Sequence, residues 1–177
     1  MEKHPVPRKR ATKMTTTAIG TRLVYLCRYN AAPADDAFRR LTAADLEERF
    51  PHLHAAHGEA DWNNNGRDLE TARRLLDSGF PILAAFDEDG IYLGVELHFP
   101  ALPEEEWSSR SIVLGSFPLA PKSAWQDEGD WADATADYEA CIREAVLSYL
   151  SEDLGNDTSA MEVRLNEGAP GEIRVYF

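Results

Sequence analysis

The sequence contains few of the features that usually reveal where a protein works, beginning with cysteine. Its two cysteines, Cys27 and Cys141, are far apart and form no CxxC pair, which excludes a zinc knuckle and indicates buried, reduced thiols. No apolar run approaches the roughly 20 residues of a membrane span, and the N-terminal segment lacks the apolar stretch of an export signal. We therefore expect a cytoplasmic protein that does not associate with membranes.

The sequence also lacks the short motifs that carry common chemistries. It has no phosphate-binding P-loop, no dinucleotide-binding glycine pattern, no nucleophile elbow and no HExxH zinc motif. No reaction is identified, so we predict no catalytic residue, no metal site and no cofactor.

Cations are scarce relative to carboxylates, and they are unevenly placed. The chain carries 18 Lys and Arg against 31 Asp and Glu, a formal net charge of −13. Residues 1–19 hold five of the cations and one of the anions, so the rest of the chain has 13 cations against 30 anions. The net charge of this remainder, about −17, repels nucleic acid and anionic membranes and favours basic partners.

Length and composition predict one folded domain preceded by a tail. Residues 1–19 combine two prolines, clustered cations and a threonine run, which is typical of a disordered basic segment. Residues 20–177 are long enough to bury a core without disulfides or metals. We expect these residues to form a single acidic domain, present as a monomer or a homodimer.

Hydrophobic periodicity and turn residues predict six strands and three helices. The predicted strands are Arg22–Tyr29, Pro81–Phe86, Ile91–Phe99, Ser111–Phe117, Met161–Leu165 and Glu172–Phe177. Alternation assigns one apolar face to each of two strands: Leu23, Tyr25, Cys27 and Tyr29 in the first, and Ile91, Leu93, Val95, Leu97 and Phe99 in the third. The predicted helices are a short one that begins with a capping box of Thr42 and Asp45, one ending at Ser78 before Gly79, and a long one over Trp131–Asp153. The order β-α-α-β-β-β-α-β-β favours an α+β fold, with a mostly antiparallel sheet and two or three helices packed on one face.

Charge complementarity suggests a register for the last hairpin. Pairing Glu162 with Arg174 and Arg164 with Glu172 would place opposite charges directly across from each other. We therefore predict that paired residue numbers sum to 336 in this hairpin.

Carboxylates at helical spacing form the main candidate site. Asp130, Asp133, Asp137 and Glu144 fall within about 60° on the long helix, since an α-helix has 3.6 residues per turn. The preceding loop adds Asp127 and Glu128, and Glu104, Glu105 and Glu106 form a second cluster. Rows of carboxylates can stand in for the phosphates of nucleic acid, or they can simply keep a surface solvated.

Three tryptophans, Trp62, Trp107 and Trp125, lie in predicted loops flanked by acidic residues. Tryptophan is a common anchor at protein interfaces and binds cations over its ring. Trp107 and Trp125 therefore join the candidate binding residues, although each could instead pack on the edge of the core.

These features predict a small acidic binding protein that occludes a basic partner, as an inhibitor, an immunity protein or an antirestriction protein of the DNA-mimic kind does. The expected partner is a basic protein, such as a nucleic-acid-handling enzyme, rather than nucleic acid itself.

A small metal-assisted enzyme is the alternative. His52, His54 and His57, with Glu59 and Asp61 close behind, offer the side chains that bind catalytic zinc, but no single backbone conformation presents all three histidines well. Glu96 and His98 share one face of a predicted strand and could act as an acid–base pair.

Overall fold

The computed structural model describes residues 18–27, 29, 31–48, 65–87, 90–125 and 127–177. Within these ranges the chain has the predicted α+β fold, with seven strands and three helices. The strands are β1 (Ala18–Tyr25), β2 (Arg39–Arg40), β3 (Leu83–Phe86), β4 (Ile91–Pro100), β5 (Ser111–Ser116), β6 (Glu162–Leu165) and β7 (Glu172–Tyr176). The helices are α1 (residues 43–48), α2 (Asn65–Asp77) and α3 (Glu128–Ser148), and a π-helical turn (Tyr149–Asp153) extends α3.

The strands divide into two antiparallel sheets rather than one. The first sheet has the order β1-β4-β3-β2 and the second has the order β5-β7-β6. The first sheet ends its strand β4 at two prolines, because Pro100 and Pro103 lack the N–H groups that a continuing strand needs. A 3-10 turn (Glu104–Ser108) follows, and the next strand, β5, pairs with β7 in the second sheet. Helix α2 packs on β4, whereas α3 contacts β1 and β6 and so bridges the two sheets.

The core follows the alternation of β4, as predicted. Ile91, Leu93, Val95, Leu97 and Phe99 are all buried on one face of this strand, which is central in its sheet. The residues that α2 and α3 place against this core are Leu69, Ala72, Leu75, Tyr138, Ile142 and Val146. One continuous core therefore joins both sheets and both long helices.

The predicted burial of β1 is wrong. Val24 and Leu26 are each 2% exposed, whereas Leu23 and Tyr25, which alternation assigned to the core, are half-buried on the opposite face. Val24 is paired with Val95, so it must share the core face of β4. The outer face is apolar as well, because Tyr25 packs against the ring of Phe38 at 5.6 Å, and this second apolar face misled the prediction.

The boundaries of β1 also differ from the prediction. The strand begins at Ala18 and therefore includes two residues assigned to the tail; residues 1–17 lie outside the described residues. It ends at Tyr25 rather than Tyr29. Because β1 has ended, the Leu93 N–H of β4 donates its hydrogen bond to the Tyr29 hydroxyl instead, at 2.8 Å.

Two helix starts show how capping works here. At α1, the Asp45 N–H donates to Thr42 Oγ1 at 3.3 Å and the Thr42 N–H donates to Asp45 Oδ2 at 3.1 Å, which confirms the predicted capping box. Helix α3 begins at Glu128, three residues before the predicted Trp131, because Asp127 Oδ1 accepts a hydrogen bond from the Asp130 N–H at 2.8 Å.

The predicted register of the last hairpin is wrong by two residues. Arg164 lies opposite Arg174, and Glu162 lies opposite Tyr176, so paired numbers sum to 338. Each arginine binds the glutamate two residues earlier on its own strand instead: Arg164 binds Glu162 at 3.0 Å and Arg174 binds Glu172 at 2.9 Å. The turn decides the register.

That turn starts at Asn166, whose φ of 60° lies in the left-handed region. Asn166 Oδ1 accepts a hydrogen bond from the Gly171 N–H at 2.6 Å, and the Asn166 N–H donates to the Glu172 carbonyl at 2.9 Å. Gly171 has a φ of 79°, which glycine adopts without strain. These bonds close a loop that fits only the observed pairing.

Candidate functional site

Four carboxylates form an acidic ridge along α3, defined here as Asp130, Asp133, Asp137 and Glu144. They lie roughly 150° around the helix from the buried stripe of Tyr138, Ile142 and Val146, counting about 100° per residue. Asp133 and Glu144 are exposed, and Asp130 and Asp137 are half-buried. The predicted grouping of these four residues on one side of the helix is therefore what the helix geometry produces.

The one arginine of α3 does not neutralise the ridge. Arg143 reaches back to Glu139, with 3.7 Å between Nη2 and Oε2, on another side of the helix. Neither Asp130 nor Asp133 forms an ion pair with any residue that the structure describes. The N-terminal half of the ridge therefore presents negative charge to solvent.

The ridge leads into a groove beside β1. Ser148 and Glu152 follow Glu144 at intervals of four residues, and Ser148 Oγ donates to Glu152 Oε2 at 3.1 Å. From Asp130 to Glu152 the helical rise gives a length of about 33 Å. Ser148 and Glu152 also line a groove of about 680 Å³ that runs along the side of β1, which we call the β1 groove.

The β1 groove is strongly acidic. Its charged lining consists of four carboxylates, Asp35, Glu96, Glu152 and Asp153, and one cation, Arg22. Arg22 donates to both oxygens of Asp153, at 2.7 and 3.1 Å, and lies 3.5 Å from Glu152. The hydrogen bonds to Asp153 raise the pKa of Arg22, which stays charged. The groove keeps a negative excess after this pairing.

Asp127 and Glu128 are occupied within the protein. Asp127 caps α3, as described above, and Glu128 Oε1 accepts a hydrogen bond from Lys122 Nζ at 2.6 Å. Lys122 also lies 5.3 Å from the centre of the Trp131 ring. These two predicted binding residues organise the start of α3, and their charges are only partly available to a partner.

The second predicted cluster lies beyond the C-terminal end of α3, far from the start of this helix. Glu104, Glu105 and Glu106 are exposed on the 3-10 turn, and Trp107 of the same turn borders an apolar pocket of about 360 Å³ together with Leu154. Leu154 follows Glu128 by 26 residues, a separation of about 39 Å along the helix axis. The structure therefore does not bring Glu104–Glu106 and Trp107, which the sequence placed among the candidate binding residues, together with Asp127–Asp137.

The tryptophans pack on the edge of the core. Trp107 and Trp125 are half-buried against it, and the Trp107 ring lies 6.2 Å from the ring of Phe177. Their positions agree with the structural role that the sequence left open for them. Trp62 lies outside the described residues.

The alternative enzymatic site is only partly described. Glu96 Oε1 and His98 Nε2 are 3.6 Å apart on one face of β4, as their spacing predicts, with side chains 46% and 59% exposed. No group of three or more His, Cys, Asp or Glu residues that could hold a metal ion occurs among the described residues. His52, His54, His57, Glu59 and Asp61 lie outside them.

Sequence reasoning missed the β1 groove because its residues come from five separate segments. Asp35, Glu96 and Asp153 are remote in the sequence and meet only when α3 docks on β1. The adjacent pair Glu152–Asp153, directly after the ridge, is the one local signal that could have suggested a continuation.

Comparison of the chain with family models, with curated proteins and with solved structures finds no match. Among the described helices, none has the length and apolar character required to cross a membrane. The function must therefore be argued from the geometry and charge of this chain.

Proposed function

We propose that the protein binds a basic macromolecular partner through the acidic ridge and thereby covers a functional site on that partner. This is the mode of action of inhibitors, immunity proteins and antirestriction proteins that imitate DNA. The observation that supports the proposal most strongly is the ridge itself, which groups four carboxylates on the side of α3 opposite the core.

The spacing of the ridge suits a basic cleft that accepts nucleic acid. Asp130, Asp137 and Glu144 are separated by seven residues each, which is about 10.5 Å along the helix. Phosphates follow one another every ~3.4 Å along one DNA strand, so successive ridge carboxylates are about three phosphates apart, with Asp133 between the first two. A rigid helix holds these charges in position without the entropy loss that ordering a loop would require.

Long-range attraction is the physical mechanism by which such a surface finds its partner. A body with an excess of carboxylates steers a cationic surface toward it and accelerates association. Exposed charges are screened as salt is added, because the Debye length falls from about 10 Å at 0.1 M to about 3 Å at 1 M. Binding through the ridge must therefore weaken steeply with ionic strength.

The first test is affinity capture from a lysate of the cells that encode the protein, at about 50 mM and about 500 mM salt. Recovery of one basic, nucleic-acid-handling protein at low salt, with loss at high salt, is the expected result. The same capture with Asp133→Lys, whose side chain is exposed, should recover less of that protein. Capture that is indifferent to both salt and Asp133→Lys would overturn the proposal.

A further inference from the structure

Strand β1 lies at the margin of the first sheet, and its backbone geometry shows which groups face outward. Within the described residues it pairs with β4 alone. The Leu26 N–H donates to the Leu93 carbonyl at 3.0 Å, in the same register as the strand. Since bonded and non-bonded residues alternate in an antiparallel pair, Arg22 and Val24 also face β4, and Thr21, Leu23 and Tyr25 direct their N–H and C=O groups away from it.

Among the described residues, few of the outward backbone groups of β1 have a hydrogen-bond partner. The Thr21 carbonyl accepts a hydrogen bond from Arg22 Nη1 at 3.1 Å. No described residue bonds to the backbone N–H or C=O of Leu23. Native proteins usually protect a long edge strand with a bulge, a proline, a lysine or a covering segment, because an open edge recruits other strands. In β1 the register shifts between Ala18 and Gly20, so an irregularity protects only the start of the strand. Beyond it, Thr21, Arg22 and Leu23 line the β1 groove, and no described strand covers them.

Carboxylates flank this open edge on both sides. Glu152 and Asp153 lie on the α3 side of the groove, and Asp35 and Glu96 lie on the side of the outer sheet face. Glu96 is directly opposite Leu23 in the pairing of β1 with β4. Side chains of a strand alternate between two faces, so a strand added to β1 would meet acidic groups with both sets of its side chains.

We propose that an extended segment of the basic partner, containing lysine or arginine, adds to the edge of β1 as a further strand. This inference rests on the proposed function and specifies how the partner is held. Backbone hydrogen bonds to Thr21, Leu23 and Tyr25 supply affinity, and the flanking carboxylates select cationic side chains. The acidic ridge then attracts the partner over a longer distance, and the groove fixes its position.

A partner fits this edge better than a second copy of the chain does. Pairing two β1 edges would bring the Glu152–Asp153 groups of both copies close together, and like charges placed opposite each other oppose association. A cationic segment instead neutralises the negative excess of the groove. Charge complementarity therefore selects the occupant.

The test uses a fluorescein-labelled synthetic peptide of alternating arginine and valine, titrated into the full chain at low salt. Methylating the backbone nitrogen of every second residue blocks the N–H groups along one side of the extended peptide and leaves the other side able to pair. Methylating every residue blocks both sides of the peptide and keeps the same charge. We expect the half-methylated peptide to bind and the fully methylated peptide to lose at least tenfold in affinity. Equal binding of the two peptides would mean attraction by charge alone and would overturn the inference.

A variant of the protein tests the role of the β1 edge independently of changes in the peptide. Thr21→Pro removes one outward N–H, and proline is tolerated on edge strands where the missing N–H faces solvent. We expect at least tenfold weaker peptide binding, with circular dichroism confirming that the fold is kept. Glu96→Gln combined with Glu152→Gln should also weaken binding. Glu128→Gln, about 36 Å before Glu152 along the helix, should not. Unchanged binding by these groove variants would contradict the inference.

The remaining outcomes assign the groove to another occupant. Sedimentation that shows a dimer dissociated by Thr21→Pro would mean that two copies pair, which overturns the inference. A large gain in peptide affinity after changing Arg8, Lys9, Arg10 and Lys13 to alanine would assign the groove to the chain's own basic segment, with the same consequence. If partner capture depends on the ridge but not on Thr21, the proposed function stands and the strand-pairing inference falls.

Discussion

The ring of Tyr149 occupies the space that the absent side chain of Gly20 leaves on the core face of β1. The same ring stacks on Phe99, with centroids 4.2 Å apart and planes 13° from parallel. Through this contact the last turn of α3 is seated against β1. The docking brings Glu152 and Asp153 to the groove, so a packing detail of the core positions part of the candidate site.

Gly20→Ala should destabilise the protein. A Cβ at residue 20 would collide with the Tyr149 ring, which is buried and cannot move aside, and overpacking of this kind costs about 1–3 kcal/mol. Urea unfolding measures the loss. Gly129→Ala is the matched control: it lies in the first turn of α3, where the added Cβ would come no closer than 3.3 Å to Asp127 Oδ1, so the free energy of unfolding should change by less than about 1 kcal/mol. Similar effects of the two changes would contradict this account of Gly20.

Asp127 should matter more for stability than the exposed Asp133 does. Asp127→Ala removes the side-chain acceptor that caps α3, which typically costs about 0.5–2 kcal/mol. Asp133→Ala, within the same helix, should have little effect. Asp127→Asn keeps the cap and removes the charge, so its free energy of unfolding should stay close to the wild-type value. If the asparagine variant were as unstable as the alanine variant, charge rather than capping would be responsible.

Tyr138 should make stability fall at alkaline pH. Burial raises the pKa of Tyr138 above its ordinary value of 10.0, and its hydroxyl donates to the Pro118 carbonyl at 3.0 Å. Above pH 10.0 the unfolded chain releases this proton and the folded chain retains it, so the folded state loses stability as the pH rises.

Tyr138→Phe removes both the hydrogen bond and this proton. At about pH 8 the variant should be less stable by about 0.5–1.5 kcal/mol, and the difference from wild type should shrink by about pH 11. Urea unfolding at the two pH values measures it. A difference that stays constant or widens would contradict the assignment of a raised pKa.

The register of the last hairpin has a direct spectroscopic test. Val163 lies opposite Val175 and Leu165 opposite Ile173, between the bonded pairs of the ladder, where facing Cα atoms are about 4.5 Å apart. Strong nuclear Overhauser contacts between the Hα atoms of these pairs are expected. Contacts between Val163 and Ile173 instead would restore the register predicted from charge.

The last hairpin also shows which structural features could be predicted from sequence patterns and which could not. Both strands were predicted from the sequence, and the error of two residues in the register leaves every side chain on the same face of its strand. Charge pairing failed because Arg164 and Arg174 find glutamates on their own strands. The turn at Asn166 has specific hydrogen bonds worth more than exposed ion pairs, and those bonds are visible only in three dimensions.

The candidate site also has one part that could be predicted from the sequence and one part that could not. The ridge could be predicted, since Asp130, Asp133, Asp137 and Glu144 belong to one helix and a helical period places them together. The β1 groove could not, because Asp35 and Glu96 reach Asp153 only through tertiary packing. The position of Trp107 depends on tertiary packing in the same way, because local acidic neighbours do not reveal which end of a domain a loop occupies.

The most direct test of the central claim compares two triple charge reversals in their affinity for the captured partner. The ridge reversal changes Asp133, Asp137 and Glu144 to lysine. The far-end reversal changes Glu104, Glu105 and Glu106 to lysine, which alters the net charge equally on a turn beside Leu154, outside the ridge. With both variants folded by circular dichroism, the ridge reversal should weaken binding at least 100-fold, about 2.7 kcal/mol. The far-end reversal should retain most of the affinity. Equal losses from the two variants, or a ridge reversal that binds as wild type does, would contradict the assignment of partner binding to the ridge.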